Sequence, residues 1–324
     1  MSSVNVAPSP EGVAKLEDRF AGCLVGLAIG DALGMPFEGM DSQAILAGRS
    51  QVTEFLPGDG LAAGQYTDDT KMMLCIADSI AENGRVNPED VARRFVAWFD
   101  TGDLRGIGTT CLEAIMNLES GIPWRESGHR GKWAAGNGTA MRIAPVGLMD
   151  WQDMERLRVD CWSTSIITHH NPEAVAGATA VAYVIARLAT GDLDGTSLLA
   201  DAAEFVGASE VARNLVQAQR LLSSNTSTDV ALETLGTSGY VVETVASALY
   251  CFLRTPPDFV ITVSSAVLGG GDTDTTAAVA GAISGAYNGL HHLPAHLVAQ
   301  VEDSKRLQDL GRAIFRMAGT CREP

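Results

Sequence analysis

The chain has 324 residues, 39 of them acidic and 23 basic, giving a formal net charge of −16 with 46% hydrophobic and 19% charged residues. That composition is globular rather than disordered, and at roughly 100–200 residues per domain the length allows one large domain or two ordinary ones. The acidic excess argues against a nucleic-acid duplex or an anionic membrane as principal partner, because both repel the average surface.

Helical periodicity dominates from the start. Val13, Leu16, Phe20, Leu24 and Leu27 recur at three- and four-residue steps, and Asp31 continues their stripe. An aspartate in line with a buried face needs hydrogen-bond partners, or must face a polar site. A loop-rich zone over 35–65 follows, and then Thr67-Asp68-Asp69-Thr70 enters an apolar helix. Asn87 and Pro88 mark the start of a helix carrying Val91, Phe95 and Trp98 on one face. Another helix covers 112–118, and a second loop-rich zone runs over 121–138. Its end, Gly136-Asn137-Gly138-Thr139, begins like a dinucleotide fingerprint but has Met141 where the last glycine should fall. It reads as a tight turn whose amides suit an anionic group.

His169-His170-Asn171-Pro172 opens a helix whose face carries Val175, Thr179, Ala182, Ile185 and Ala189, with Gly191 as its stop. Helices then follow over 211–222, 242–253, 259–268, 277–287 and 301–317. Between the third and fourth of these lies Gly269-Gly270-Gly271-Asp272-Thr273-Asp274-Thr275. Small residues such as Gly26, Gly30 and Gly34, or Ala277, Gly281 and Gly285, permit close helix crossings, and no tandem repeat interrupts the series. The expectation is a single all-α, orthogonal multi-helix domain over 12–320 behind a flexible N-terminus, 1–11.

The six cysteines, Cys23, Cys75, Cys111, Cys161, Cys251 and Cys321, form no CxxC pair and read as reduced core thiols. No secretory signal is visible, and apolar runs such as 174–186 fall short of the roughly 20 residues that span a bilayer. A cytoplasmic monomer without membrane insertion is expected.

The chemistry lies in the two Asp/Thr clusters. A helix cap needs one oxygen acceptor, whereas each cluster brings two carboxylates and flanking hydroxyls, an excess that repels itself unless a cation sits between the acids. Oxygen donors without cysteine or a histidine triad suit Mg²⁺, Mn²⁺ or Ca²⁺ rather than Zn²⁺. A calcium-sensor loop is excluded, because Ala277 and Ile283 stand where Asp272-Thr273-Asp274 would require glycine and glutamate. If residues 67–70 and 272–275 meet in space, their carboxylates suffice for two ions about 3.5–4 Å apart.

Five segments in order resemble the ADP-ribosylglycohydrolase family. They are Gly26-Leu27-Ala28-Ile29-Gly30-Asp31-Ala32-Leu33-Gly34 with Glu38, Tyr66-Thr67-Asp68-Asp69-Thr70, Gly136-Asn137-Gly138-Thr139-Ala140-Met141-Arg142, Thr168-His169-His170-Asn171-Pro172 and Gly270-Gly271-Asp272-Thr273-Asp274-Thr275. Met141-Arg142-Ile143-Ala144-Pro145 and Gly239-Tyr240-Val241-Val242-Glu243-Thr244 look most like the ADP-ribosyl-[dinitrogen reductase] hydrolase branch. The resemblance implies two Mg²⁺ or Mn²⁺ ions held by Thr67, Asp68, Asp69, Asp272, Asp274 and Thr275. It also implies catalytic roles for Glu38, Asp69 and Asp272, and substrate contacts from Asn137, Gly138, Thr139, His169, Gly270 and Gly271. Asp31 matches a recurrent aspartate assigned to support.

The implied activity is hydrolysis at the anomeric carbon of ADP-ribose, on protein-linked ADP-ribosyl-arginine. Cleavage of O-linked ADP-ribose (serine or O-acetyl) and non-catalytic ADP-ribose binding stay open beside it. One departure bears on the choice. Arginine-releasing relatives often carry Asp-Ile-Gly where this chain has Gly106-Ile107-Gly108, which leaves Asp100 or Asp103 to supply that carboxylate.

Overall fold

The apolar stripe of the N-terminal segment closes into α1 (Pro10–Gly34) in a computed structural model that describes residues 10–191 and 193–320. Most of the expected flexible segment 1–11 lies outside the described residues, while Pro10 and Glu11 open this helix. By length and hydropathy Glu11–Phe37 could cross a membrane, contrary to the sequence expectation. Its most apolar window is 94% buried by the surrounding helices, as befits the central helix of a folded core.

Around it, fifteen further α-helices among the described residues build the expected all-α fold. After α2 (Ser42–Gly48) come α3 (Asp68–Asn83), α4 (Pro88–Phe99) and α5 (Thr109–Glu119). Then follow α6 (Ala144–Met149), α7 (Met154–Ser165), α8 (Pro172–Ala189), α9 (Leu198–Val206), α10 (Glu210–Ser223) and α11 (Thr228–Leu235). The series closes with α12 (Val241–Arg254), α13 (Phe259–Leu268), α14 (Thr273–Asn288), α15 (Ala295–Gln300) and α16 (Ser304–Thr320). Two short strands, β1 (His129–Arg130) and β2 (His169–His170), pair in parallel with His129 opposite His169. Five cysteines are buried and free, as expected of small hydrophobes; Cys321 lies outside the described residues.

The crossing of α1 with α14 fixes the frame. Gly22, Gly26, Gly30 and Gly34 of α1 lie against Gly285, Gly281, Ala277 and Thr273 of α14, so the two helices run antiparallel with backbones nearly touching. A Cβ on Gly30 would stand 2.0 Å from the Ala277 carbonyl oxygen, a contact no side chain can make. The C-terminal end of α1 therefore meets the N-terminal end of α14. Asp31 adds the start of α3, accepting hydrogen bonds from Thr67 N at 2.9 Å, Thr70 N at 3.1 Å and Thr70 Oγ1 at 2.6 Å. The buried hub expected of an aspartate on an apolar face is thus present.

A second buried acid pair lies far from this junction. Asp150, just after α6, and Asp160 of α7 share a pocket with Arg156, which donates to Asp160 Oδ2 at 2.7 Å, while Asp150 Oδ2 has no hydrogen-bond partner. Burial first, then the neighbouring Asp160, pushes Asp150 up to about 8. A carboxyl raised in this way keeps its proton after the unfolded chain has lost it, so its stabilisation is complete below about pH 4 and declines as pH rises toward 8. Asp150→Asn is expected to melt like the parent near pH 4 but roughly 3–8 °C higher at pH 8.5. Equal melting shifts at both pH values would refute this.

Candidate active site

Two helix N-termini supply the aspartates. Thr67 caps α3, its hydroxyl accepting from Asp69 N, and Asp68 and Asp69 occupy the first turn. Asp272 caps α14 by accepting from Thr275 N, and Asp274 sits one step inside. Carboxylates in first turns face the positive ends of helix dipoles, which partly offsets the cost of gathering them. The two clusters meet: Thr275 Oγ1 lies 3.4 Å from Asp69 Oδ1 across 206 residues of sequence.

The loop before α14 is held in place by backbone bonds. Gly39 N donates to Gly271 O and Gly271 N to Met40 O, both at 2.8 Å, so the Glu38 segment is stitched to the Asp272 segment. On the facing side Asn137 N donates to Gly239 O at 3.0 Å, and Asn137 Nδ2 donates to Asp272 Oδ2 and Thr244 Oγ1, each at 2.9 Å.

These elements enclose a cleft of about 360 Å³ lined by Glu38, Asp68, Asp69, Asn137, Gly138, His169, Asp272, Asp274 and Thr275. Four further expected residues stand behind its wall. Thr139 donates to Ala174 O at 2.7 Å, Thr67 serves as the cap of α3, and Gly270 and Gly271 pack on residues 40–42 and Thr237. Gly106, Met141 and Gly239, quoted in the sequence only as parts of motifs, also line the cleft, as do Thr109, Thr110 and Cys111, which sequence reasoning missed as site residues. Gly106 has φ +78°, and a Cβ there would press to 2.9 Å from Asp68 Oδ1, so glycine lets this loop close over the acids. A roomier groove of about 1260 Å³ runs along residues 290–313, but its charges are paired, Lys305 with Asp309 and Arg306 with Asp78.

Asp103 is withheld from the cleft. Arg105 grips its carboxylate at 2.8 and 2.7 Å and Lys71 approaches to 3.2 Å, which holds the acid well below the usual range. Asp100 is an exposed C-cap. Neither supplies the carboxylate sought at the 106–108 loop; hydroxyls of Thr109 and Thr110 line that rim instead.

The acids strain against one another. Burial, then Asp31, raises Asp68 to about 8, and burial followed by Asp31, Asp274 and Asp68 lifts Asp69 well above the carboxylate range. Asp274 is pushed up by burial, then by Asp272 and Glu38. Glu38, exposed at the mouth, rises through partial desolvation of its carboxyl and then through Asp272. Asp69 Oδ2 is buried with no hydrogen-bond partner among the described residues. An orphaned carboxylate oxygen among like charges, within an all-oxygen donor set, fits a hard divalent cation. Among the described residues, no three His, Cys, Asp or Glu side chains are already gathered tightly enough to hold one, so the donors surround the cleft rather than closing on a point.

A model of the ADP-ribosylglycohydrolase family matches residues 13–324. The chain belongs to the ADP-ribosylglycohydrolase family. It is 30% identical to ADP-ribosylarginine hydrolase Tri1 of Pseudomonas putida over 93% of this chain and 79% of that protein. It is 28% identical to ADP-ribosylhydrolase ARH3 of Danio rerio, covering 92% and 90%. A solved structure titled ADP-ribosylglycohydrolase-related protein complex superposes with TM-score 0.76 and 27% identity over 94% of this chain and 99% of its own. The orthogonal helical fold read from the sequence is thus the fold of an ADP-ribosylglycohydrolase.

Proposed function

We propose that this cleft hydrolyses the glycosidic bond at the anomeric carbon of protein-linked ADP-ribose, with arginine as the preferred leaving group, inside the cytoplasm. The observation that carries the reading is the convergence of Asp68 and Asp69 with Asp272 and Asp274 on one cleft, with Asp69 Oδ2 left unpaired. Thr67, Asp68, Asp69, Asp272, Asp274 and Thr275 would hold two Mg²⁺ or Mn²⁺ ions. When bound, such ions supply Lewis acidity and lower the pKa of a water nucleophile.

The chain's own groups do the rest. Asn137 fixes Asp272 by hydrogen bond, the turn at Gly136 to Gly138 forms the wall against which the ADP-ribose moiety binds, and His169 lines the same wall. The fixed carboxylates face the oxocarbenium-like charge that develops at the sugar, and Glu38 at the mouth moves the proton of the leaving group or the water. The arginine preference draws on the likeness to an ADP-ribosylarginine hydrolase.

A second reading, cleavage of O-linked ADP-ribose, is favoured by one observation: the 106–110 rim presents threonine hydroxyls, with Asp103 locked away in ion pairs. Purified protein incubated with arginine-linked and serine-linked ADP-ribosyl peptides in Mg²⁺ or Mn²⁺ decides between them. Release from arginine is the expected result, release from serine alone would overturn the preference, and ADP-ribose binding without any product would overturn hydrolysis. Asp68→Ala combined with Asp272→Ala is expected to abolish turnover with the helical circular-dichroism signal intact. Full activity in that variant would refute the metal role.

A further inference from the structure

Arg142 heads the bulky side chains that are buried to within 2% exposure, and a buried guanidinium is costly unless it serves a purpose. Among the described residues, no carboxylate is one of its hydrogen-bonding partners. It donates to Thr168 Oγ1 at 2.7 Å and Thr164 O at 3.3 Å, touches Met72 Sδ at 3.7 Å and Cys111 Sγ at 3.8 Å, and lies 5.0 Å from the Phe95 ring centroid. Thr168 Oγ1 in turn lies 2.8 Å from His169 Nδ1. The other edge of that imidazole faces the turn at the cleft wall, where a Cβ on Gly138 would fall 2.8 Å from His169 Cε1 and 3.3 Å from Nε2.

We propose that Arg142 and Thr168 are positioning residues that lock His169 in its Nε2–H tautomer, so that the ring offers the cleft a hydrogen-bond donor and never an acceptor. A guanidinium has only donors, so the Thr168 oxygen must accept from Arg142. The hydroxyl keeps one proton to give, and two acceptors compete for it, His169 Nδ1 and the Cys111 sulfur. Nitrogen is the stronger acceptor, and the adjacent positive charge makes the hydroxyl a better donor. Nδ1 is therefore bare and the ring proton sits on Nε2.

The charges facing the ring act in the same direction. Burial first, then Arg142 behind it and His129 on the paired strand, lowers His169 to about 3, so it stays neutral near pH 7. A neutral Nε2–H suits a phosphate or hydroxyl oxygen of the bound substrate and excludes the ring as a general base. Only the identity of that oxygen rests on the proposed hydrolase function; the tautomer does not.

The test reads the ring directly. Full-length protein carrying ¹⁵N-histidine is examined without substrate by long-range proton–nitrogen correlation, with His169→Gln identifying the signals. A protonated Nε2 and bare Nδ1, unchanged from pH 6 to 8 and preserved in Thr168→Ser, is the expected pattern. Thr168→Val is expected to mix the tautomers and to raise KM for an ADP-ribosyl substrate roughly 3–10-fold, with kcat changing less and Thr168→Ser restoring KM. A protonated Nδ1 in the parent, or the parent pattern surviving in Thr168→Val, would overturn the proposal. Should Thr168→Val fail to fold, the parent and Thr168→Ser spectra still decide. The expected tautomer in a protein that turns over no ADP-ribosyl substrate would uphold this inference while removing the hydrolase reading.

Discussion

Asp69→Asn is expected to cost roughly 10³-fold or more in turnover and yet to raise the melting temperature in chelator-treated protein. The two effects share one cause. Asp69 is buried, its Oδ2 has no partner, and Asp31, Asp68, Asp272 and Asp274 all raise its pKa after burial has done so. Its place in the first turn of α3 brings a favourable dipole interaction of only about 0.3–1 kcal/mol. Desolvation and repulsion among buried carboxylates cost more than that, so the isosteric neutral amide should gain about 1–3 kcal/mol, or roughly 1–5 °C.

With Mg²⁺ or Mn²⁺ present the variant's advantage shrinks or reverses. An ion that binds only the folded state at one hundred times its Kd adds about 2.7 kcal/mol to the parent, and the variant loses most of that increment. Melting curves of both proteins in chelator and in each metal check the prediction. A variant that melts lower in chelator and responds to metal like the parent would mark Asp69 as an ordinary helix-start carboxylate.

The elements legible in the sequence are those whose ends are written in local chemistry. Asn87 caps α4 and Asn171 caps α8, each followed by proline, and the expected span 259–268 coincides with α13. Helices that depend on tertiary contacts were not legible. The loop zone 35–65 hides α2, whose seven residues bury only Ile45, and α6, α9, α11 and α15, of six to nine residues, gain their stability from neighbours. The twelve-residue α7 was missed despite its Asp153 cap, because its sequence carries no clear apolar stripe.

The site divides in the same way. A surplus of aspartate can be read from a list of residues, and so can the need of Asp31 for partners. The cleft wall formed by Thr109, Thr110 and Cys111 cannot, because the start of α5 carries no unusual chemistry until the fold turns it toward the acids. Asp103 shows the converse. It looked available in sequence, but Arg105 two residues on and Lys71 of α3 neutralise it, and Lys71 and the Glu302 that shares Arg105 come close only once the fold is assembled.

Gly30→Ala tests whether the helix crossing sets the site as well as the fold. The added methyl would sit 2.0 Å from the Ala277 carbonyl oxygen and 2.5 Å from its carbon, so relief requires α1 and α14 to separate. Overpacking that moves backbone costs about 3 kcal/mol or more, a fall of roughly 4 °C or more in Tm for a chain of this length, against the gain of up to about 1 kcal/mol that alanine brings to a free helix. Gly48→Ala, where nothing lies within 4 Å of the new methyl, isolates that propensity gain and should be neutral or slightly stabilising. Ala277→Gly in the Gly30→Ala background should rescue nothing, because the obstructing atom belongs to the main chain.

Separation of the two helices also moves Asp274 away from Asp31, since Gly34 packs directly on the Asp274 backbone. Activity per folded molecule should therefore fall in Gly30→Ala beyond what the lost folded fraction explains. Thermal melts and turnover normalised to the circular-dichroism signal at the same temperature measure both quantities. Parent-like turnover per folded molecule in a strongly destabilised variant would separate the crossing from the chemistry, and parent-like stability would mean the backbones are not in the contact described.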